Sequence, residues 1–257
     1  MKYNPKQIIM KKLFILLAVV AFALFSCDGN GKNQNNGEST PQQIEQAATI
    51  PVDNLGDAIL FKHEGTVKDV FPKDCDTICY LQGYLNDDDF LDLVLVATPR
   101  NPENMMTRSD GYEYNFNEPV LAIYFGKDDE TYTLFKEYPN TIPGAEDEFT
   151  FVTVDSYITE EGVLRFGVEF FSSAGGSETD QNDYFFYFQD DDFYLIGTEK
   201  DGFSRYSGEG KKVSCNYLTK KQLTTTRNVF DETVKPTETW TDLPDEPLER
   251  LGARLLD

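Results

Sequence analysis

Three kinds of residue in this chain have types and spacings that can do chemistry: four cysteines, one histidine and a dense acidic turn. The turn is Asn86-Asp87-Asp88-Asp89, which runs into an apolar stretch at 91–97 interrupted only by Asp92. A cluster of oxygens is what a hard cation such as calcium takes as ligands. Cys75, Cys79 and Cys215 suggest thiol or metal chemistry, but C-x3-C departs from the zinc-knuckle spacing, and small buried hydrophobes are the commoner role for such cysteines. A Cys75–Cys79 disulfide would close a turn before a strand starting at Ile78, and the odd count leaves one thiol over. His63 lies beside a short strand and is expected on the surface, without the partners of a histidine-dependent triad. No G-x-S-x-G, P-loop or H-E-x-x-H occurs, and no catalytic residue is assigned. With 45 acids in the chain, finding a pair of carboxylates carries no information about glycoside hydrolysis.

Composition narrows the classes. The chain has 257 residues, 40% of them hydrophobic, with 20 Phe and 14 Tyr, enough for a sizeable core. The net charge is −22, and losing the four lysines of residues 1–26 takes it to −26. Such a charge repels nucleic acid and anionic headgroups, and it favours cations, basic partners or plain solubility.

Residues 1–26 read as a targeting segment. Lys11 and Lys12 precede an apolar run at 13–25 of secretory length, too short for a confident span. The end, Leu24-Phe25-Ser26-Cys27, resembles the bacterial lipobox, with Phe25 bulkier than the usual residue. That resemblance implies cleavage before Cys27, a diacylglycerol on its thiol and an acyl chain on its new amine. Several acyl chains anchor stably where one does not. Residues 27–51, rich in Asn, Gln, Gly, Ser and Thr, read as a flexible tether spanning about 25–30 Å root-mean-square. The expected location is the bacterial cell envelope, on the outer membrane or cell surface.

Residues 52–257 are expected to form one all-β domain, a meander of antiparallel hairpins that is propeller-blade-like or an open sheet or sandwich. Candidate strands are 58–61, 66–71, 78–85, 91–98, 120–125, 132–135, 149–158, 163–171, 184–188, 193–196, 213–218 and 222–226. Hairpin turns fall at 160–162, 190–192 and 219–221. In the run at 91–97 the leucine face is expected to be the more buried, since Asp92 lies on the other. Polar stretches at 101–118 and 172–183 read as long loops, which in compact domains are often binding loops. Trp240 is expected to dock on the domain, and 248–256 to form a short helix.

The acidic turn resembles the calcium loop of FG-GAP, or integrin-like, repeats, D-x-[DN]-x-D-G-x-x-D followed by an apolar strand. The resemblance implies calcium ligation by Asn86, Asp88 and Asp92, with the carbonyl of Phe90. Tyr84 stands where the first Asp belongs, and Asp89 where a Gly permits the sharp turn, so weak or absent calcium binding is expected. More widely, the order VKDVFP (67–72), then 83–96, 121–126, FYLIG (193–197), NYLTKK (216–221) and 240–251 resembles a family of secreted or lipid-anchored proteins of gut Bacteroidetes. That likeness brings a fold and no activity. The function expected is therefore a cell-envelope binding or adaptor lipoprotein with a protein or glycan partner. A carboxylate-dependent glycan or peptide hydrolase is the first alternative, and an immunity or inhibitor protein the second. Cys27→Ala is expected to leave the chain soluble or unprocessed; a processed variant that survives high-salt and carbonate washes on membranes would refute the anchor.

Overall fold

The strand at the centre of the structure is β3 (Asp92–Pro99), and both of its faces are buried. A continuous Leu/Val run suits such a position better than the alternation of a half-wet strand. The computed structural model describes residues 60–145, 150–172, 178–253 and 255, which belong to one compact unit beginning at 59. Cys27, the leader 1–26, the tether 27–51 and the first two positions of the expected strand 58–61 lie outside the described residues.

The architecture is all-β and antiparallel. A five-stranded sheet has the order β1 (Glu64–Thr66), β7 (Thr131–Pro139), β6 (Val120–Gly126), β3, β2 (Cys75–Gly83). A seven-stranded sheet is a simple meander: β8 (Thr150–Ile158), β9 (Val163–Ser172), β10 (Glu178–Gln189), β11 (Asp192–Ser204), β12 (Glu209–Asn216), β13 (Lys221–Asn228) and β14 (Thr237–Asp242). A small hairpin, β4 (Met105–Thr107) with β5 (Glu113–Asn115), is inserted between β3 and β6.

The two sheets pack face to face over part of their area. Val94, Val96, Leu121 and Ile123 meet Leu164, Phe166, Val168 and Phe186 in the larger core, all at most 2% exposed. On the other side of β3, Leu93, Leu95 and Ala97 pack with Tyr124 under a cover made by Phe61 and Val70. The cover is tied down where the Tyr124 hydroxyl donates to the Lys62 carbonyl (2.8 Å) and the Phe61 amide donates to Glu137 (2.8 Å).

Local sequence explains the turns. Gln189 pairs with Asp192, and Asp190 and Asp191 between them both adopt positive φ, so β10–β11 closes with a two-residue primed turn. Gly162, at φ 79°, lets the β8–β9 turn come against the Tyr84 carbonyl; a Cβ there would lie 2.9 Å from that oxygen. On the outer face of the sandwich Arg165 is almost fully buried, held by Asp183 (2.7 Å) and Asp155 (3.2 Å) and lying 5.0 Å from the Tyr157 ring centroid.

Several expectations are corrected. The leucine face of β3 is not the more buried one: Val94 and Val96 are as buried as Leu93, Asp92 is 0% exposed, and Leu91 is 44% exposed. Within 66–71 the chain forms a helical turn, α1 (Val67–Val70), because Thr66 and Asp69 make a capping box across its start. Residues 60 and 61 are not in a strand. The stretch 172–183 is not a long loop, since 178–183 extend β10. Among the described residues 248–253 and 255 there is no helix; Leu251 and Leu255 are buried, and their amides donate to the carbonyls of Phe193 and Thr141. Trp240 lies in β14 opposite Leu223 and stays 49% exposed. Cys75 and Cys79 are four residues apart on one extended strand, about 13 Å at strand rise, beyond disulfide reach.

Because both faces of β3 carry core, truncation on either should destabilise. Leu93→Ala is expected to cost about 2–5 kcal/mol. Val94→Ala is expected to cost roughly 1.5 kcal/mol or more, from two methyl-sized groups. Denaturant melts giving a near-zero value for Val94→Ala would contradict the two-sided burial.

Candidate functional site

The acidic turn leads into β3 at its N-terminal end, and its oxygens face the protein's own amides. Asn86 Oδ1 accepts from the Asp88 amide (3.0 Å), Asp88 Oδ1 accepts from the Phe90 amide (2.8 Å), and Asp88 Oδ2 accepts from Asn86 Nδ2 (2.9 Å). These are Asx turns in series. Asp92 turns inward instead. Its Oδ2 accepts from the amides of Leu85 (2.7 Å) and Asn86 (3.3 Å), and its Oδ1 from the Gly126 amide (3.1 Å). One carboxylate thus fastens the turn to the end of β6. Gly126 is needed there, because a Cβ would fall 2.1 Å from the Leu91 carbonyl oxygen.

Burial pushes the Asp92 carboxyl up to about 6, and the charge of Asp88 adds to this, against three amides that hold it down. Of the four residues named as calcium ligands, Asn86, Asp88 and Phe90 lie together on the turn, Asp88 and Phe90 exposed, and Asp92 lies beneath them. On Asn86 Oδ1 and on both Asp88 oxygens one of the two lone pairs is already taken by the turn's own hydrogen bonds. Tyr84, at the departed first position, is half exposed. Asp89 does not adopt positive φ, so the missing glycine imposes no strain on this turn. Among the described residues no group of three His, Cys, Asp or Glu side chains is placed to hold a metal ion. His63 is exposed, and its carbonyl accepts from the Leu134 amide. Cys79 is buried, which pushes its thiol up to about 11 and makes it a poor nucleophile.

The insertion at 101–118 is built, and it is amphipathic in an unusual sense. Its inward side is polar. Asn115 Nδ2 donates to Asp76 (2.9 Å) and to the Pro99 carbonyl (3.1 Å), and Arg100 bridges Asp76 (2.9 Å) and Glu113 (2.5 Å). The Asn115 amide, with Arg100, holds the Asp76 carboxyl below its usual range. Asn117, 5% exposed, donates to the Asn101 carbonyl and accepts from Asn104. The other side is aromatic. Tyr112 and Tyr114 meet edge-on with centroids 4.8 Å apart, Tyr114 and Phe116 lie parallel at 6.0 Å, and the Arg108 guanidinium is 6.0 Å from the Tyr112 ring. Tyr112 is 57% exposed and Met106 37%. In sequence the signal for this stripe was the i, i+2, i+4 spacing of its three rings within a polar stretch.

A third feature had no clear sequence signal. Towards Ser204 and Glu209 the seven-stranded sheet forms a groove of about 1090 Å³, whose floor carries Lys200, Lys211, Val213 and Thr226. No family model, curated protein or solved structure matches the chain.

Asp92→Asn places an amide NH₂ against at least one of the backbone amides now bound, at a cost of about 1–3 kcal/mol. The pH dependence has a definite sign. Asp92 has a folded value of about 6, above the ordinary 3.8, so its contribution is fully present below the lower value and is lost as pH rises through the upper. The stability of the native chain relative to Asp92→Asn should therefore fall across that interval in thermal melts. A pH-independent difference would show that the carboxylate titrates normally.

Proposed function

We propose that the chain is a binding module of the bacterial cell envelope, anchored through a lipidated Cys27 and carried on a tether, that engages a protein or glycan partner through the hairpin β4–β5. The observation that supports this reading is the inversion of that hairpin. Its polar side chains are spent on fixing it to β2 and to the end of β3, and its rings are turned away from the brace. A pre-fixed loop loses little freedom on binding, so more of its contact energy appears as affinity. Tyr, Met and Arg, present here as Tyr112, Met106 and Arg108, are also residue types enriched at protein interfaces. The acidity of the chain argues against nucleic acid as the partner.

The test is capture from an envelope extract by the immobilised native chain, by Tyr112→Ala and by Asn115→Ala. Tyr112→Ala should lose partner recovery by roughly tenfold, the effect of removing one aromatic anchor. Asn115→Ala, which keeps every ring but loosens the brace, should lower recovery less. Recovery unchanged by both, with the fold intact by circular dichroism, removes the hairpin from the binding surface.

A further inference from the structure

The groove on the seven-stranded sheet stands on residues separate from the hairpin. Strand register defines its floor. One row across the sheet is Asp180, Gly202, Lys211, Thr226, Thr237, and the next is Asn182, Lys200, Val213, Thr224, Thr239. Alternation puts both rows on the face that, nearer β8, packs against the five-stranded sheet. Here the face carries lysines and threonines where the core has Leu164, Phe166 and Val168. The rows are about 7 Å apart along the strands, and neighbouring side chains in a row about 5 Å apart.

Charge in this groove runs against the rest of the chain, which has 45 acids to 23 bases. Lys200, Lys211 and Lys235 line it, and none forms an ion pair with a described residue. Of the acids that line it, Asp201 pairs with Arg227 (2.6 Å), and Glu209, on the same face as Lys211, accepts from the Ser207 hydroxyl; Glu199, on the opposite face, pairs with Lys212 (2.5 Å). Asp180 starts the row of Lys211, and its carboxylate lies over Gly202, between the two.

We infer that this groove binds a carboxylate-bearing oligosaccharide, with Lys200 and Lys211 taking the carboxylates and the threonine rows taking sugar hydroxyls. The strands under the lysine rows, β10 to β13, are paired on both sides, so over those rows a peptide main chain finds no free edge; the one open edge of the sheet at the groove is that of β14. What it offers is ammonium, hydroxyl and amide groups in two parallel rows. Ammonium–carboxylate pairs are the stronger, charge-assisted kind, and the hydroxyls can both donate and accept.

The experiment is titration calorimetry of the mature chain with oligogalacturonate, with neutral cello-oligosaccharide of the same length, and with poly-glutamate. Oligogalacturonate should bind, the neutral sugar should bind at least tenfold more weakly, and Lys200→Ala with Lys211→Ala should weaken the acidic sugar by roughly tenfold or more. Lys200→Arg should retain binding, and Lys212→Ala, on the opposite face, should leave it unchanged. Equal binding of poly-glutamate, equal binding of the neutral sugar, or no binding of oligogalacturonate overturns the inference. Tyr112→Ala should not alter this titration, so the outcome is separable from that of the hairpin.

Discussion

The two-sided burial of β3 is the constraint on which the rest of the structure depends. A strand with Leu93, Leu95 and Ala97 on one face and Val94 and Val96 on the other needs two separate covers. The seven-stranded meander supplies one and the segment through Phe61 and Val70 the other. The strand also has to begin somewhere dry, and Asp92 is the residue at that point. Its carboxylate satisfies three backbone amides that the sharp entry would otherwise leave unpaired in the interior. The resulting burial raises its proton affinity, so a structural need has set this carboxyl above its ordinary range.

The unequal size of the sheets has a second consequence. Five strands, one of them only three residues long, cannot cover seven, and the meander continues past the shared core. There its inner face changes from Leu, Phe and Val to Lys, Thr and Asn, as a face returning to water must. Two surfaces then carry the chemistry proposed for binding. The hairpin β4–β5 is rigid because its polar side is consumed by the brace to Asp76 and Pro99. The floor of the groove under its lysines belongs to strands β10 to β13, each paired on both sides. Both are held by the scaffold before any ligand arrives, the condition under which modest contacts yield useful affinity.

Most of the architecture was legible in the sequence. Period-two runs, β-branched and aromatic residues and acidic or glycine turns at 160–162, 190–192 and 219–221 fix strands and hairpins locally, because strand alternation and primed turns depend on a few adjacent residues. The Asn86–Asp92 turn was recognisable for the same reason. What the sequence by itself could not decide were relations across the sheet. Whether Asp92 faces a cation or the amides of Leu85 and Gly126 depends on a residue 34 positions away. The rings of Tyr112, Tyr114 and Phe116 could equally have been a small core, until the contacts of Asn115 and Arg100 assigned the polar side inward. Lys200 and Lys211 are ordinary surface lysines along the chain; only the β11–β12 register brings them onto one face of one groove. Local geometry sets the period of a strand, but register and sheet packing set which side chains become neighbours, and those are properties of the folded chain alone.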